Sequence, residues 1–348
     1  GLKTFLGRAV DFFYPERRPG YMQRWTFNIQ REFPHRILLE IGYTGNRGTG
    51  LTTARDANTV PLQYLSKSPE RDQPAINYLT QAVQNPFFGI PEFAGSTLRS
   101  QTVQRLQLLR PFPQFDMLNT SFSRGFSWYH AAHIQGQKRF SHGYTVQLSY
   151  TLSKFMEAVD LLNAADPAPH HVISQFDRPH HVTGSFIWEI PVGRGRALLS
   201  RARGPIEHLA GGWSFQGMFN LQAGPPLGFA NVLFRGDIRS VGLGESDRQL
   251  YRWFNVDAGF ERDARFQLLQ NVRTFPMRLG GARADGFNSW DLSLFKSFRI
   301  NERVTVQLRA EGQDALNNAM FAAPNTVPQN TLFGQVTNTI WSEQRRIT

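Results

Sequence analysis

The chain has 348 residues, of which 41% are hydrophobic, 13% aromatic and 19% charged, with a formal net charge of +11. Such an aromatic-rich chain has enough apolar surface to order most of its length. The absence of cysteine excludes disulfides and thiolate metal sites. The basic residues are dispersed among turns and polar positions, which argues against a nucleic-acid partner.

No run of about 18 apolar residues is present, so no transmembrane helix is expected. That leaves barrel strands open, because alternating strands give weak hydropathy.

The chain begins at Gly1 and ends at Thr348, just after Glu343-Gln-Arg-Arg-Ile, which has the pattern of a strand beginning. Both ends read as those of a fragment. After an irregular lead-in with Pro15 and Pro19, Trp25, Phe27, Ile29 and Phe33 alternate with polar residues. Across a Pro34-His35 turn, Ile37, Leu39, Ile41 and Tyr43 do the same, which predicts a hairpin. Asn46 to Gln114 is mixed: Arg47 to Gly50 reads as loop, Pro74 to Val83 as a short helix, and Thr97 to Leu109 as a strand ended by Arg110-Pro111-Phe112-Pro113. Phe115 to Ser123 is a weaker strand turning at Arg124-Gly125, and Tyr129 to Phe140 the next.

The clearest strand follows a tight turn at Ser141-His142-Gly143. In Tyr144 to Lys154, Tyr144, Val146, Leu148, Tyr150 and Leu152 fall on one face, with Gln147 and Ser149 on the other. Glu157 to Phe176 is a loop. Pro179 to Ile190 is a strand with Phe186 and Trp188 on its apolar face. Gly193 to His208 is a basic connection. Gly212 to Gln222 sets Trp213, Phe215 and Phe219 against Gln216 and Asn220. Ala223 to Phe287, rich in glycine and arginine, shows no period. Ser289 to Phe298 and Val304 to Gln313 form a last hairpin with Leu292, Leu294, Val306 and Leu308 on one face and Gln307, Arg309 and Glu311 on the other. Asn317 to Asn338 is a final loop.

Each clear strand is about ten residues, or ~33 Å. Tilted by about 45°, it spans ~23 Å, the height of the apolar band of an outer-membrane barrel. Trp25, Trp188, Trp290, Tyr43 and Tyr144 lie near strand ends, as an interfacial aromatic girdle requires. Short turns alternate with long connections. That asymmetry needs an odd number of extra strands between Tyr43 and Phe115, which Thr97 to Leu109 supplies. The expected fold is therefore all-β: part of an antiparallel transmembrane β-barrel with about eleven strands and long extracellular loops. A soluble β-sandwich also alternates, but fits neither the strand lengths nor connections of about 20 residues.

Several segments resemble a known family. They are Gln23-Arg-Trp-Thr-Phe-Asn-Ile-Gln-Arg-Glu, Glu40-Ile-Gly-Tyr-Thr-Gly-Asn-Arg-Gly-Thr, Leu108-Leu-Arg-Pro-Phe-Pro-Gln-Phe, Gln137-Lys-Arg-Phe-Ser-His-Gly, Leu148-Ser-Tyr-Thr-Leu-Ser-Lys, Phe176-Asp-Arg-Pro-His-His-Val, Glu189-Ile-Pro-Val-Gly-Arg-Gly-Arg, Gly211-Gly-Trp and Asn288-Ser-Trp-Asp-Leu-Ser-Leu-Phe-Lys. In this order they are similar to the C-terminal barrel of TonB-dependent outer-membrane receptors. The likeness is to the Oar-like group with a carboxypeptidase-regulatory-like N-terminal domain, abundant in Acidobacteria. The resemblance implies a barrel of about 22 strands in the bacterial outer membrane, a plug, and energy coupling through TonB. Residues 1–348 would be the C-terminal part of that barrel, with the plug and regulatory-like domain outside it. The expected partners are outer-membrane lipid, TonB and the plug in the parent, and a substrate that is a siderophore, cobalamin, an oligosaccharide or a peptide.

No catalytic constellation stands out: there is no Gly-x-Ser-x-Gly elbow, and Gly193-Arg-Gly-Arg lacks the Lys-Ser/Thr pair of a phosphate loop. Neither enzymatic activity nor a cofactor is expected. His170, His171, His180 and His181 lie close in sequence near Asp166 and Asp177, but adjacent histidines on a strand point to opposite faces, so no metal site is expected. Arg309, Glu311 and Gln313 on a polar face either meet a plug or substrate, or form an ion-paired wall.

If the apolar face meets lipid, Leu148→Arg at the bilayer midplane costs about 2–4 kcal/mol and Gln147→Arg almost nothing. Equilibrium unfolding in bilayers reads both; equal costs would mean that the faces are wrongly assigned.

Overall fold

A computed structural model describes residues 3–301, 303–340 and 346–347. In chain order the elements are β1 (Val10–Asp11), β2 (Tyr21–Phe33), β3 (Ile37–Asp56), α1 (Gln73–Thr80), β4 (Ala82–Gln84), β5 (Thr102–Gln104), α2 (Arg105–Leu108), β6 (Leu118–Ser141) and β7 (Tyr144–Ala158). Then come β8 (Val172–Ile173), β9 (His180–Glu189), α3 (Pro205–Ala210), β10 (Trp213–Gln222), β11 (Pro226–Gly228), β12 (Arg278–Arg283), β13 (Phe287–Arg299), β14 (Thr305–Gln313) and β15 (Arg346–Ile347).

Eleven strands make one sheet. Nine of them run in the order β15-β14-β13-β10-β9-β7-β6-β3-β2, with β1 beside β6 and β8 beside β7. Every step of the nine-strand path is antiparallel. The wall is thus an up-and-down meander, left open between β2 and β15. Of the expected final strand, residues 343–345 lie outside the described residues, while Arg346 pairs with Gln313 of β14.

The sheet has as many strands as the sequence predicts, but their identities differ. Residues 97–109 are not a wall strand. They hold a 3-10 turn at Thr97–Arg99, the three-residue β5 paired with β4, and α2. Asn85 drives this local fold: its side-chain amide donates to the carbonyls of Leu98 and Ser100. Nor does the chain turn at Arg124-Gly125, because β6 runs through as one strand of 24 residues. Gly125 lies opposite Leu51 at a bulge, where a Cβ would stand 2.7 Å from the Leu51 carbonyl oxygen. Glycine here marks a close backbone approach rather than a turn. The two differences cancel in parity, so the short turns still share one end.

Arg47 to Gly50, expected as loop, belongs to β3, which continues to Asp56. Its glycines are there for space: the Trp25 indole of β2 lies where a Gly45 side chain would be. Strands β3 and β6 therefore rise beyond the band that ten residues would span, to ~70–80 Å of extended chain. Expected helix 74–83 is α1, whose N-terminus is capped by Asp72 accepting the Ala75 N–H at 3.0 Å.

Tight packing is found away from the sheet. Leu227, Phe229, Val241, Phe254, Phe275 and Phe333 are among a buried cluster built from the long connections. Phe229 stands at its centre, 5.4–5.7 Å from the rings of Phe254, Phe260 and Phe275. The wall is a single layer, and its apolar residues stay largely exposed: Leu148 is 46% and Leu308 60% accessible. A single sheet with no second layer over its apolar face must find that layer in its surroundings.

Gly125→Ala should destabilise the wall by about 1–3 kcal/mol, because the obstructing atom is backbone. Gly136→Ala, with nothing within 4 Å of the added methyl, should be close to neutral. Thermal melts of the two variants in detergent check this; equal melting points would remove the bulge argument.

Candidate ligand-capture cap and barrel wall

Register sorts the wall residues into two faces. Tyr144, Trp188, Phe215 and Leu294 are successive neighbours across four strands, as are Val146, Phe186, Gly217 and Leu292. Leu148, Gly184, Phe219 and Trp290 form the next row, and Tyr150 and Leu152 continue it on β7. Trp213 faces Lys296, which faces Leu308; Phe298 faces Val306. All these residues lie on one face. Gln147, Ser149, Gln216 and Asn220 lie on the other, joined by Thr183, Ser185 and Ser293. So do Gln307, Arg309 and Glu311 on β14. On that polar face Arg309 pairs with Glu311 and lies over the Phe295 ring at 5.0 Å, while the Ser293 hydroxyl donates to Glu311 at 3.1 Å.

The four long connections, residues 57–117, 159–179, 223–286 and 314–345, leave the same end of the wall. Among the described residues they interlock into a cap. Buried and half-buried asparagines do much of the joining, because a side-chain amide offers the same donor and acceptor as a peptide group. Asn58 donates to the carbonyls of Phe112, Phe115 and Asp116 and accepts from the Phe112 N–H, which closes the base of the first connection. Asn271 reaches from the third connection to the carbonyls of Ser68 and Glu70 in the first. Asn163 in the second accepts the Arg273 N–H of the third at 2.7 Å and donates back to its carbonyl.

Two ion pairs fasten cap to wall, the second through Asp177 of the second connection, whose carboxylate also bonds the wall. Arg278 of β12 meets Glu157 of β7 at 2.7 Å, and Ser174 donates to the other Glu157 oxygen. Arg283 of β12 meets Asp177 at 2.6 Å. Asp177 is fully buried, and its second oxygen accepts the Phe155 N–H at 2.6 Å. Such pairs need their remaining hydrogen bonds to offset desolvation, and these have them.

A cavity of about 790 Å³ lies between the cap and the cap-side ends of β9, β10 and β13. Val182, Leu221 and Asn288, neighbours in register, lie on its wall side, and Glu245, Arg248 and Trp253 on its cap side. In the cap, Arg265 holds the Asp263 carboxyl down to about 2 through paired hydrogen bonds. His170 is pushed below its ordinary value by burial and by the nearby Arg273 cation.

The profile of the family described as outer membrane beta barrel domain matches residues 1–348. The chain belongs to that family. Its wall is an outer-membrane barrel wall, and the soluble-sandwich alternative falls away. No curated protein matches the chain. Among solved structures it is similar to the outer membrane transporter YddB from Escherichia coli (7% identity, TM-score 0.45, 98% of this chain and 34% of that one). It is also similar to the FrpB iron transporter from Neisseria meningitidis (8%, 0.40, 97% and 32%). A third is FpvA of P. aeruginosa, solved with a bound pyoverdine (7%, 0.39, 95% and 26%). The chain spans about a third or less of the length of each of these.

The barrel's histidines are divided by the fold. His180 is on the apolar face, its Nδ1 2.9 Å from the Tyr150 hydroxyl. His181 is on the polar face, its Nε2 2.9 Å from Asn220. His171 packs on the Trp128 ring at 4.3 Å. The cap ties Asp177, Arg283, Glu157, Arg278, Asn58 and Asn271 escaped sequence reading. Only Asp177 carries a signal, inside Phe176-Asp-Arg-Pro-His-His-Val, since irregular loops have no period to reveal partners far along the chain.

Asp177→Ala strands the Arg283 cation and should cost about 3–5 kcal/mol, whereas Asp177→Ala with Arg283→Met should recover much of the loss. Thermal melting together with protease cleavage within residues 223–286 reads this; a single variant costing under ~1 kcal/mol would remove the pair as the cap's anchor.

Proposed function

We propose that the intact parent is a TonB-dependent receptor of the Oar-like group, taking up a substrate across the outer membrane. On this reading the apolar face (Tyr144, Val146, Leu148, Tyr150, Leu152, Phe186, Trp188, Trp213, Phe215, Phe219, Leu292, Leu294, Val306 and Leu308) meets lipid. The polar face (Gln147, Ser149, Gln216, Asn220, Gln307, Arg309 and Glu311) lines a wet lumen. The short turns are periplasmic and the cap is extracellular. Residues 1–348 supply the C-terminal barrel portion, and the plug and the TonB-contacting segment belong to the rest of the parent.

The observation that carries the proposal is the difference between the two ends. One end is closed by turns as short as His142-Gly143, while the other bears a layered cap above a polar-faced wall. A receptor needs this: a shaped outer surface to select substrate, and a hydrated path beyond it. The role suggested by the geometry is capture and passage, with no catalytic step.

A second reading has its own support. The cap's asparagines and ion pairs make it a tied layer, which suits adhesion or surface scaffolding by a barrel of the same family. Loss of the parent and loss of TonB should give the same growth defect on a limiting siderophore, cobalamin, oligosaccharide or peptide source. A defect indifferent to TonB, or a loss of surface attachment alone, would reject uptake and favour the scaffold.

A further inference from the structure

The connection from β9 to β10 departs from the pattern of the other short-turn links. It is 23 residues long, from Ile190 to Gly212, and folds into an arginine-bearing bend followed by α3. Leu198, Leu199, Ile206 and Leu209 stand exposed on it, Leu209 to 75%. Four arginines accompany them: Arg194, Arg196, Arg201 and Arg203. Arg196 pairs with Glu189 at 2.9 Å, and the Glu207 carboxylate is occupied by the Arg194 backbone N–H. Arg201 and Arg203 have no carboxylate partner among the described residues.

Two contacts fix where this segment lies. The Trp213 indole N–H donates to the Leu209 carbonyl at 2.9 Å, and the Lys296 ammonium donates to the Gly211 carbonyl. Trp213 and Lys296 face each other on the apolar face of the sheet, at its short-turn end. The Lys296 ammonium also sits over the rings of Trp213 and Phe298, at 5.4 and 4.9 Å. The end of α3 is therefore held against the edge of the apolar face, and its exposed Ile206 and Leu209 extend that face.

We propose that residues 194–210 are an interfacial anchor for anionic phospholipid in the periplasmic leaflet. The apolar side chains enter the acyl boundary, and Arg201 and Arg203 take the headgroup phosphates. The inference rests on the lipid reading of the apolar face. The occupant follows from continuity with that face and from charge. Apolar side chains and unpaired arginines on one short segment match the boundary of an anionic leaflet, where basic residues near the surface gain by attraction and leucines by burial.

The test uses the intact parent in vesicles of brominated phosphatidylcholine, with or without phosphatidylglycerol. A bimane label at Ser200→Cys reports the anchor, and one at Leu148→Cys reports the wall. Both labels should be quenched, and quenching at Ser200 should rise at least about twofold with phosphatidylglycerol. Arg201→Gln with Arg203→Gln should abolish that rise alone; Ile206→Ser with Leu209→Ser should abolish quenching at Ser200 altogether. Quenching at Leu148 but not at Ser200, or quenching at Ser200 indifferent to lipid charge and to the arginines, would overturn the anchor. An unquenched Leu148 label would instead overturn the lipid reading itself.

Discussion

The Asp177 carboxylate joins two structures built on different principles. One oxygen takes the backbone N–H of Phe155 in the wall, and the other takes the Arg283 guanidinium of the cap. Arg283 also donates to the carbonyls of Asp177 and Gly224. A buried charge this well supplied holds because every lone pair in use has a donor. Removing one member leaves the rest buried without a partner. The position of the cap over the wall, and so of the cavity beneath it, depends on this knot and on its neighbour Arg278–Glu157.

Below the knot the organising rule is backbone pairing. In a membrane each N–H and C=O must be satisfied within the protein, and adjacent antiparallel strands do that along the whole wall. Side chains are then free to follow the surroundings. On the face proposed for lipid, the exceptions are instructive. Arg31, Lys138 and Lys296 share it with the aromatic residues, each two or three positions before the end of its strand. Each is set over a ring: Arg31 over Phe33, Lys138 over Tyr144, Lys296 over Trp213 and Phe298. Lys138 also reaches the Ser141 carbonyl at 3.2 Å. Long basic side chains near a strand end bury their stems and turn their charge toward the polar boundary. Toward the opposite end of this face His130 and His180 are each stacked on a tyrosine, Tyr43 or Tyr150.

This difference in principle also decides what the sequence discloses. A strand writes its two faces into alternate residues, so Tyr144 to Leu152 and Trp213 to Gln222 are legible at sight. Errors arose where glycine serves space rather than turning. Gly125 lets β6 pass Leu51, and Gly45 makes room for Trp25. The sequence pattern marks Gly125 as a turn, and the same residue type does turn the chain at Gly143, with φ of 84°. Thr97 to Leu109 misled for another reason: its alternation is real over Thr102–Gln104, but its partner is β4 in the cap rather than the wall.

The cap was illegible because its order is not periodic. Phe229, Phe254 and Phe260 of the third connection come together with Phe333 of the fourth, across the intervening wall strands β13 and β14. Phenylalanine supplies both this core and much of the wall's apolar face, so composition alone cannot separate the two uses. What separates them is geometry. A phenylalanine on a paired strand has its face dictated by register, as Phe186 and Phe219 do. One in the cap is placed by its packing against rings brought in by other connections. The polar residues of the connections, which show no period in the sequence, tie these loops together across the cap.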